Sequence, residues 1–369
     1  MTTHNAENER IKRRYFAYLK EARRYSEASV DAAAKALNRF ECFTRFRSFK
    51  SFHIEQAVAF KRALAEQVSR RTGDRLSKAT LYSTLKALHS FFSWLAGQPG
   101  FRSRLSYSDA EYFNLSKKDV RVATAHRETA FPSLEQIQRT LAAMPVGTDI
   151  EQRNRAVVAF TILTGARDSA TASFKLRHID VENERLIQDA RHVRTKFSKT
   201  FTTWFFPVGE DARRIVLEWI DYLTNILLFG PDDPLFPATR VGLDSEQRFA
   251  AIGLSRNRWS TATPIRDVFR AAFASAGLPY FNPHSFRHTL AKFGEQVCRT
   301  PEEFKAWSQN LGHEDVLTTF SSYGSVASTR QAEIMQALRK HDSEGHASDL
   351  PALLEAALAA ARRDSTAGK

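Results

Sequence analysis

In residues 77–96, SKATLYSTLKALHSFFSWLA, the side chains of Leu81, Leu85, Leu88, Phe92 and Leu95 fall on one stripe at helical spacing, with Ser83, Lys86, Ser90 and Ser93 on the opposite one. The same period recurs through most of the chain and confines it to helices packed on helices. VDAAAKALNRFECFTRF and IEQAVAFKRALAEQVSRR carry it upstream. FPSLEQIQRTLAAMP, RNRAVVAFTILTGAR, DARRIVLEWIDYLTNILL and TPIRDVFRAAFASAG carry it downstream, the first of these opening with Ser133 and Gln136 at capping-box spacing. In the last, Thr263 caps, Pro264 starts and Gly277 stops the helix. Residues 178–207 change character: HIDVENERLI and FTTWFFP are short β-type runs between polar turns. A loop of roughly thirty residues, containing GLSRNRWST, then precedes TPIRDVFRAAFASAG, and loops of that length are commonly functional. The expected fold is mainly α with a small antiparallel β-sheet.

From Gly97 to Arg127 the period fades and Gly, Pro, Ser and charges accumulate, as in an interdomain connection. The expected division is a helical domain over 1–115, a linker over 116–130, a second domain over 131–340 and a tail helix over 341–369. The tail has an apolar face at Leu350, Leu353, Leu354, Ala357 and Leu358 and suits docking on its own subunit or a neighbour.

Charge separates the two domains more sharply than composition does. The formal net charge is +13, and residues 1–120 hold 23 Lys/Arg against 12 Asp/Glu, which is +11 of it. An acidic partner is implied for the first third: a nucleic acid backbone, an anionic membrane or an acidic protein. A small-molecule enzyme is not the default for such a chain. No apolar run is long enough to span a bilayer, and MTTHNAENERIKRR has no apolar signal core, so a cytoplasmic location is expected. Cys42 and Cys298 make neither a disulfide framework nor a zinc ligand set.

The stretch NPHSFRHTLAKF places His284 and Arg287 at the start of a helix, with Asn282 able to cap and Pro283 suited to the first position. Phe286, Leu290, Phe293 and Val297 form its apolar stripe, and His284, Arg287 and His288 project from the other side. Together with the partial positive charge of a helix N-terminus, that face suits a phosphate. The alternatives are a solvated polar face, or a zinc site at the His284/His288 spacing.

Three further stretches hold candidate reactive groups: LTGARDSA with Arg167, RTKFSKTFTTWFFP with Lys196 and Lys199, and LGHEDVLTTFSSYGSV with His313 and Tyr323. Taken singly, each has a dull reading as ion-pair partner, solvated lysine, helix cap or packing. Taken in order and spacing, with HSFRH, they resemble the tyrosine recombinase (phage integrase) family. The resemblance covers the second domain through these motifs and the first less specifically, through SKATLYSTLKALHSFFSWLA. It implies a two-domain DNA clamp, with a helical core-binding (SAM-like) domain followed by the catalytic domain. It also implies six catalytic residues: Arg167 and Arg287 on the phosphate, Lys199 on the hairpin, His284 and His313, and the nucleophile Tyr323. Lys199 is preferred over Lys196 because SKT lies eight residues before Pro207, the family's usual distance to the proline that ends the hairpin.

Two guanidinium forks suit the non-bridging oxygens of one phosphodiester and the charge of an in-line transition state. Because such pairing neutralises the phosphate, no metal is expected, and because a tyrosine ester preserves bond energy, neither ATP nor another cofactor is. The resemblance implies a site-specific recombinase or integrase that forms a 3′-phosphotyrosyl intermediate and acts as a homo-tetramer on two double-stranded DNA sites, with accessory DNA-bending proteins. A nucleoid-associated protein with no membrane partner is expected. Lys78, Lys86, Arg256 and Arg258 are candidate DNA contacts. The alternatives are an architectural DNA-binding protein of the same fold that has lost efficient cleavage, and a topoisomerase-like relaxing enzyme. The sequence departs from the family at Ala170, where an acidic residue is usual, which leaves Asp168 as a candidate support for Arg167. Tyr323 also lies ten residues after His313, one more than the commonest spacing.

Overall fold

The computed structural model describes residues 4–69, 73–125, 130–243 and 246–313. Tyr323 and the tail over 341–369 lie outside the described residues. The chain divides into two compact units, residues 1–126 and 127–369.

The first unit contains α1 (Ala6–Glu21), α2 (Glu27–Phe43), α3 (Ile54–Glu66), α4 (Lys78–Ala96), α5 (Tyr107–Ala110) and α6 (Lys117–Thr124). The stripe on α4 is its centre: Leu81, Leu85, Leu88, Phe92 and Leu95 are all buried, and Ser83, Lys86 and Ser90 are exposed. Around it lies an aromatic cluster, with Phe92 stacked on Phe113 at 5.1 Å and edge-on to Phe40 at 5.4 Å. Burying each such ring contributes roughly 1.5–3 kcal/mol. One polar network is embedded in this core. Buried Asn8 donates from Nδ2 to Glu41 at 3.1 Å and to the Arg47 carbonyl at 3.0 Å, and its Oδ1 accepts from the Phe49 N–H at 3.0 Å. Lys12 neutralises Glu41 at 2.6 Å. All of these groups are paired, as burial requires.

Residues 97–113 differ from the expected free connection. Phe101, Leu105, Ala110 and Phe113 join the first core, and α5 packs on α4. Their spacing is irregular because α5 and the turn after it are too short to show a period. Lys117–Thr124, in the segment expected as linker, is helical and buries no residue.

The second unit holds α7 (Leu134–Ala143), α8 (Asp149–Thr164), α9 (Asp168–Thr171), the strands β1 (Ile179–Asp180), β2 (Arg185–Gln188) and β3 (Phe201–Trp204), and α10 (Glu210–Asp221). There follow β4 (Pro237–Leu243), β5 (Phe249–Arg258), α11 (Thr263–Ser275), α12 (Ser285–Val297) and α13 (Pro301–Asn310). The apolar run of α8 has no polar face because the helix is enclosed: Val157, Val158, Ala159 and Phe160 are fully buried, with α7, α10, α11 and α12 packed around it. It opens with a Thr148/Glu151 capping box and stops at Gly165, whose φ of +60° is left-handed and whose N–H returns to the Thr161 carbonyl.

The expected small sheet is three-stranded and antiparallel in the order β1-β2-β3, with Leu186 opposite Thr203. The expected long loop instead folds into a two-stranded ribbon, β4 pairing with β5, with bulges near Pro237 and Arg240. Arginines, glycines and polar residues in both strands break the apolar alternation that would reveal it. Its base is pinned by buried Arg153, which donates to the Pro237 carbonyl at 2.8 Å and to Thr239 at 3.0 Å and lies 4.9 Å from the Trp259 ring. Among the described residues no helix is long and apolar enough to cross a membrane.

Candidate active site

The site begins where α8 ends. Gly165 turns the chain through its left-handed conformation, and two residues later Arg167 caps α9. A side chain at 165 would come within 3.0 Å of Leu290 and of Leu311, so this turn brings α12 and the end of α13 against it. The Gly165 carbonyl accepts from Arg287 Nη1 at 2.6 Å. Arg287 Nη2 donates to the Leu311 carbonyl and to His313 Nε2, the latter at 3.0 Å. Arginine can only donate, so Nε2 is the bare nitrogen and the His313 proton resides on Nδ1.

This corrects the expected face of α12. Arg287 is 6% exposed and structural as well as polar, and the stripe that faces the core includes Ser285, Thr289 and Ala291 beside Phe286 and Leu290. Val297, placed in the apolar stripe by periodicity, is exposed. The helix also starts later than expected, at Ser285 with His284 as its cap. Asn282 acts one turn earlier, its Oδ1 accepting from the Ser285 N–H at 3.2 Å. His284 and His288 meet edge to face at 5.5 Å, and His288 stacks on Phe131. Among the described residues no group of three or more His, Cys, Asp or Glu converges to hold a metal.

His313 reaches the site because α13 is fastened on two sides. Trp307 Nε1 donates to the Leu290 carbonyl at 3.0 Å, joining α13 to α12. Asn310 accepts from the Trp204 N–H at 2.7 Å and donates back to the Trp204 carbonyl at 2.9 Å, as if it were a further strand residue beside β3. Thr203 completes the join by donating to the Asn310 carbonyl at 3.0 Å. Between β3 and α13 lies an open groove of about 1210 Å³, lined in part by Lys199, Phe201, Trp204, Trp307 and His313. Lys199 follows a single turn, Lys196–Ser198, that ends with Ser198 at a left-handed φ of 52°. Lys196 is exposed and does not line this groove.

Electrostatics ties the segments together. Burial pushes the His313 imidazole down to about 4, and the charges of Arg287 and Arg167, His284 and Lys199 push the same way. His284 is also held at about 4, by burial and then by Arg287, His288 and Arg167, with Asp168 opposing. The residue as a whole is exposed, so solvent screens part of that push. Arg167, Lys199, His284 and Arg287 therefore all act on His313, and Arg167 and Arg287 act on His284 as well, although Arg167 and His313 are separated by most of the second unit's described sequence. Tyr323 lies outside the described residues.

Arg167 is half-buried, and burial lowers its pKa. Among the described residues its guanidinium has no hydrogen-bond or ion-pair partner. Asp168 does not serve it: both Nε and Nη2 of Arg266 reach Asp168 Oδ2 at 2.8 Å. Ala170, at the position where an acid was expected, is buried. A partly desolvated guanidinium without a counter-ion, beside two imidazoles kept neutral first by burial and then by neighbouring cations, is a site arranged for an anion. Arg287's carbonyl anchors, the Asn310 clasp and Arg266 were not foreseen. Only backbone acceptors and distant chain segments reveal them, and no local spacing encodes those.

The candidate DNA contacts have individual settings. Lys78 pairs with Asp119 at 3.1 Å, and Lys86 is exposed with its ammonium 5.8 Å from the Tyr82 ring. Arg256 is held by Asp233 at 2.5 Å and lies 4.6 Å from the Phe229 ring, a setting that also explains it as a brace for the ribbon. Arg258 is exposed at the end of β5, opposite Pro237.

The Phage integrase family model matches residues 133–330, more than half of the chain. Tyrosine recombinase XerC of Lactobacillus delbrueckii subsp. bulgaricus is 24% identical over 324 residues, covering 84% of this chain and 92% of the relative. XerC of Escherichia coli O127:H6 is 23% identical over 308 residues, covering 83% and 88%. In fold, the chain is similar to the lambda integrase dimer bound to a COC' core site, with a TM-score of 0.57 at 12% identity over 87% of this chain and 96% of the other. The Tn1549 transposon integrase in complex with transposon right end DNA gives a TM-score of 0.56 at 14% identity, over 89% and 99%.

Proposed function

The chain belongs to the phage integrase family of tyrosine recombinases, and from that premise we propose that it is a site-specific DNA recombinase that cuts and rejoins strands through a covalent 3′-phosphotyrosyl intermediate. The observation that carries the reading is the meeting of Arg167, Lys199, His284, Arg287 and His313 around a guanidinium that lacks a counter-ion. In this reading Arg167 and Arg287 hold the non-bridging oxygens of the scissile phosphate. Their fixed charge stabilises the extra negative charge of the in-line transition state. Arg287 is oriented before substrate arrives, because the Gly165 and Leu311 carbonyls fix its fork.

The phenolic oxygen of Tyr323 forms the new bond to phosphorus as the bond to the 5′ oxygen breaks. The phenol proton passes to a neutral imidazole, and Lys199 gives a proton to the departing 5′ oxygen. Imidazoles held near 4 are unprotonated at neutral pH and so able to accept. A bound phosphate raises their affinity for the proton by countering the arginine charges. Resealing is the same exchange reversed, with the DNA 5′ hydroxyl attacking the tyrosyl ester. We also propose the finer reading: a basic first unit that grips duplex DNA, with Lys78, Lys86, Arg256 and Arg258 among the contacts, a homo-tetramer on two sites, and a cytoplasmic, nucleoid-associated protein.

The test is to incubate the protein with a library of nicked duplexes, trap denaturant-resistant adducts and sequence the attached DNA. Wild type should yield strands joined through their 3′ phosphate to Tyr323. Tyr323→Phe should bind duplex and yield none. An adduct that persists in Tyr323→Phe, or a wild-type protein that binds duplex and never forms one, overturns the reading.

A further inference from the structure

Beside the cluster lies a second recess, of about 350 Å³, lined by Arg167, Asp168, Arg266, Asn282, Pro283 and His284. It holds two guanidinium groups and one carboxylate. Asp168 is not a loose surface acid: its Oδ1 accepts from the Ser169 N–H at 2.8 Å, and its Oδ2 takes both Nε and Nη2 of Arg266. Arg266 comes from the first turns of α11, ninety-eight residues further along the chain. Its Nη1 has no partner among the described residues, and its side chain is 54% exposed at the recess.

We propose that Arg266 is a DNA-binding residue that takes the backbone phosphate next to the scissile one, and that Asp168 is its positioning residue. The inference rests on the proposed strand-cleaving function. An exposed arginine ordinarily loses rotamer freedom when it grips a phosphate; one already held through Nε and Nη2 loses less, and presents its remaining N–H groups in a fixed direction. Asp168 follows Arg167 directly in the chain. The tether therefore joins the residue next to Arg167 to α11, so that both guanidinium groups line one recess, the arrangement that contacts to neighbouring phosphates of one strand call for. The carboxylate beside Arg167 thus serves the arginine across the recess, while Arg167 keeps its fork for the scissile phosphate.

The test uses the full-length protein, a fluorescent duplex and titrations from 50 to 200 mM salt. The decisive variant is the double substitution Asp168→Asn with Arg266→Gln. It replaces the ion pair with a neutral pair of similar shape, leaves net charge unchanged and leaves no orphaned carboxylate to unfold the chain. If Arg266 neutralises one phosphate, the slope of log affinity against log salt falls by about 0.9, so the loss of affinity between 50 and 200 mM salt becomes about 3.5-fold smaller than in wild type. Arg214→Gln, on α10 and paired with Asp211 and Glu218, is the control for an arginine without that role. A double variant with the wild-type slope overturns the inference and leaves the tether a purely structural link between α9 and α11. A wild-type protein with no salt-dependent duplex binding overturns the parent function instead.

Discussion

Gly165→Ala tests whether the turn after α8 is what assembles the site. Two costs are expected. The residue has a φ of +60°, and a non-glycine residue in the left-handed region costs about 1–2 kcal/mol. The added Cβ would also stand 3.0 Å from Leu290 Cδ1 and 3.0 Å from Leu311 Cδ2. Both leucines are buried in the second core and have no open space to swing into, so overpacking adds about 1–3 kcal/mol. Gly277→Ala separates the two costs. Gly277 has nearly the same φ, +66°, and nothing within 4 Å of the position a Cβ would take. The backbone cost and the reduced freedom of the unfolded chain are common to both variants, so their difference isolates the packing: Gly165→Ala should be the less stable by about 1–3 kcal/mol. Urea titration followed by tryptophan fluorescence is suitable, because Trp204, Trp219, Trp259 and Trp307 lie in the second unit and only Trp94 in the first. Adduct formation should fall further than stability does, since the Gly165 carbonyl that orients Arg287 must shift with the turn. Equal destabilisation of the two variants would refute the claim that Gly165 is needed for close approach of α12 and α13.

Two more outcomes follow from the same geometry. His178 is buried and its pKa is lowered to about 4, first by burial and then by Arg177, His192 and Lys175, with Asp189 opposing. Its folded value lies below the unfolded 6.5, so the unfolded chain binds the extra proton. The stability it carries, about 3 kcal/mol, is present above pH 6.5 and is lost as pH falls toward 4. Urea midpoints across that window should fall with acid, and His178→Gln should flatten the slope; an unchanged slope would exclude His178 as a source. Asn310→Ala removes both bonds to Trp204 at an exposed edge and should cost about 1–3 kcal/mol. It should also slow adduct formation, by freeing His313 from its place beside Lys199. Wild-type kinetics in that variant would show that the clasp on β3 does not align the two.

What the sequence made legible divides along a physical line. Amphipathic helices with caps were readable because the helical period and capping are local: α4 has its stripe in the core, and the Ser133/Gln136 box forms as spaced. The β4–β5 ribbon was hidden because its strands interleave arginine and glycine with apolar residues, and the sequence has no short turn signal at their junction. The helix carrying His284 and Arg287 is legible in the sequence, but the burial of its polar face is not. Periodicity ranks residues by apolarity and cannot foresee that a guanidinium will be buried donating to the carbonyls of Gly165 and Leu311, 122 residues before it and 24 after it. Asp168 shows the same limit. Sequence adjacency made it the natural partner of Arg167, but successive residues at a helix start point in different directions, and the first turns of α11 supply Arg266 instead. Residue type and order therefore identified which groups could share one anion, while their pairing was decided by backbone turns and buried carbonyls. A substitution that keeps every charged side chain and disturbs only such a turn should accordingly be as damaging to the site as the loss of one of its charges.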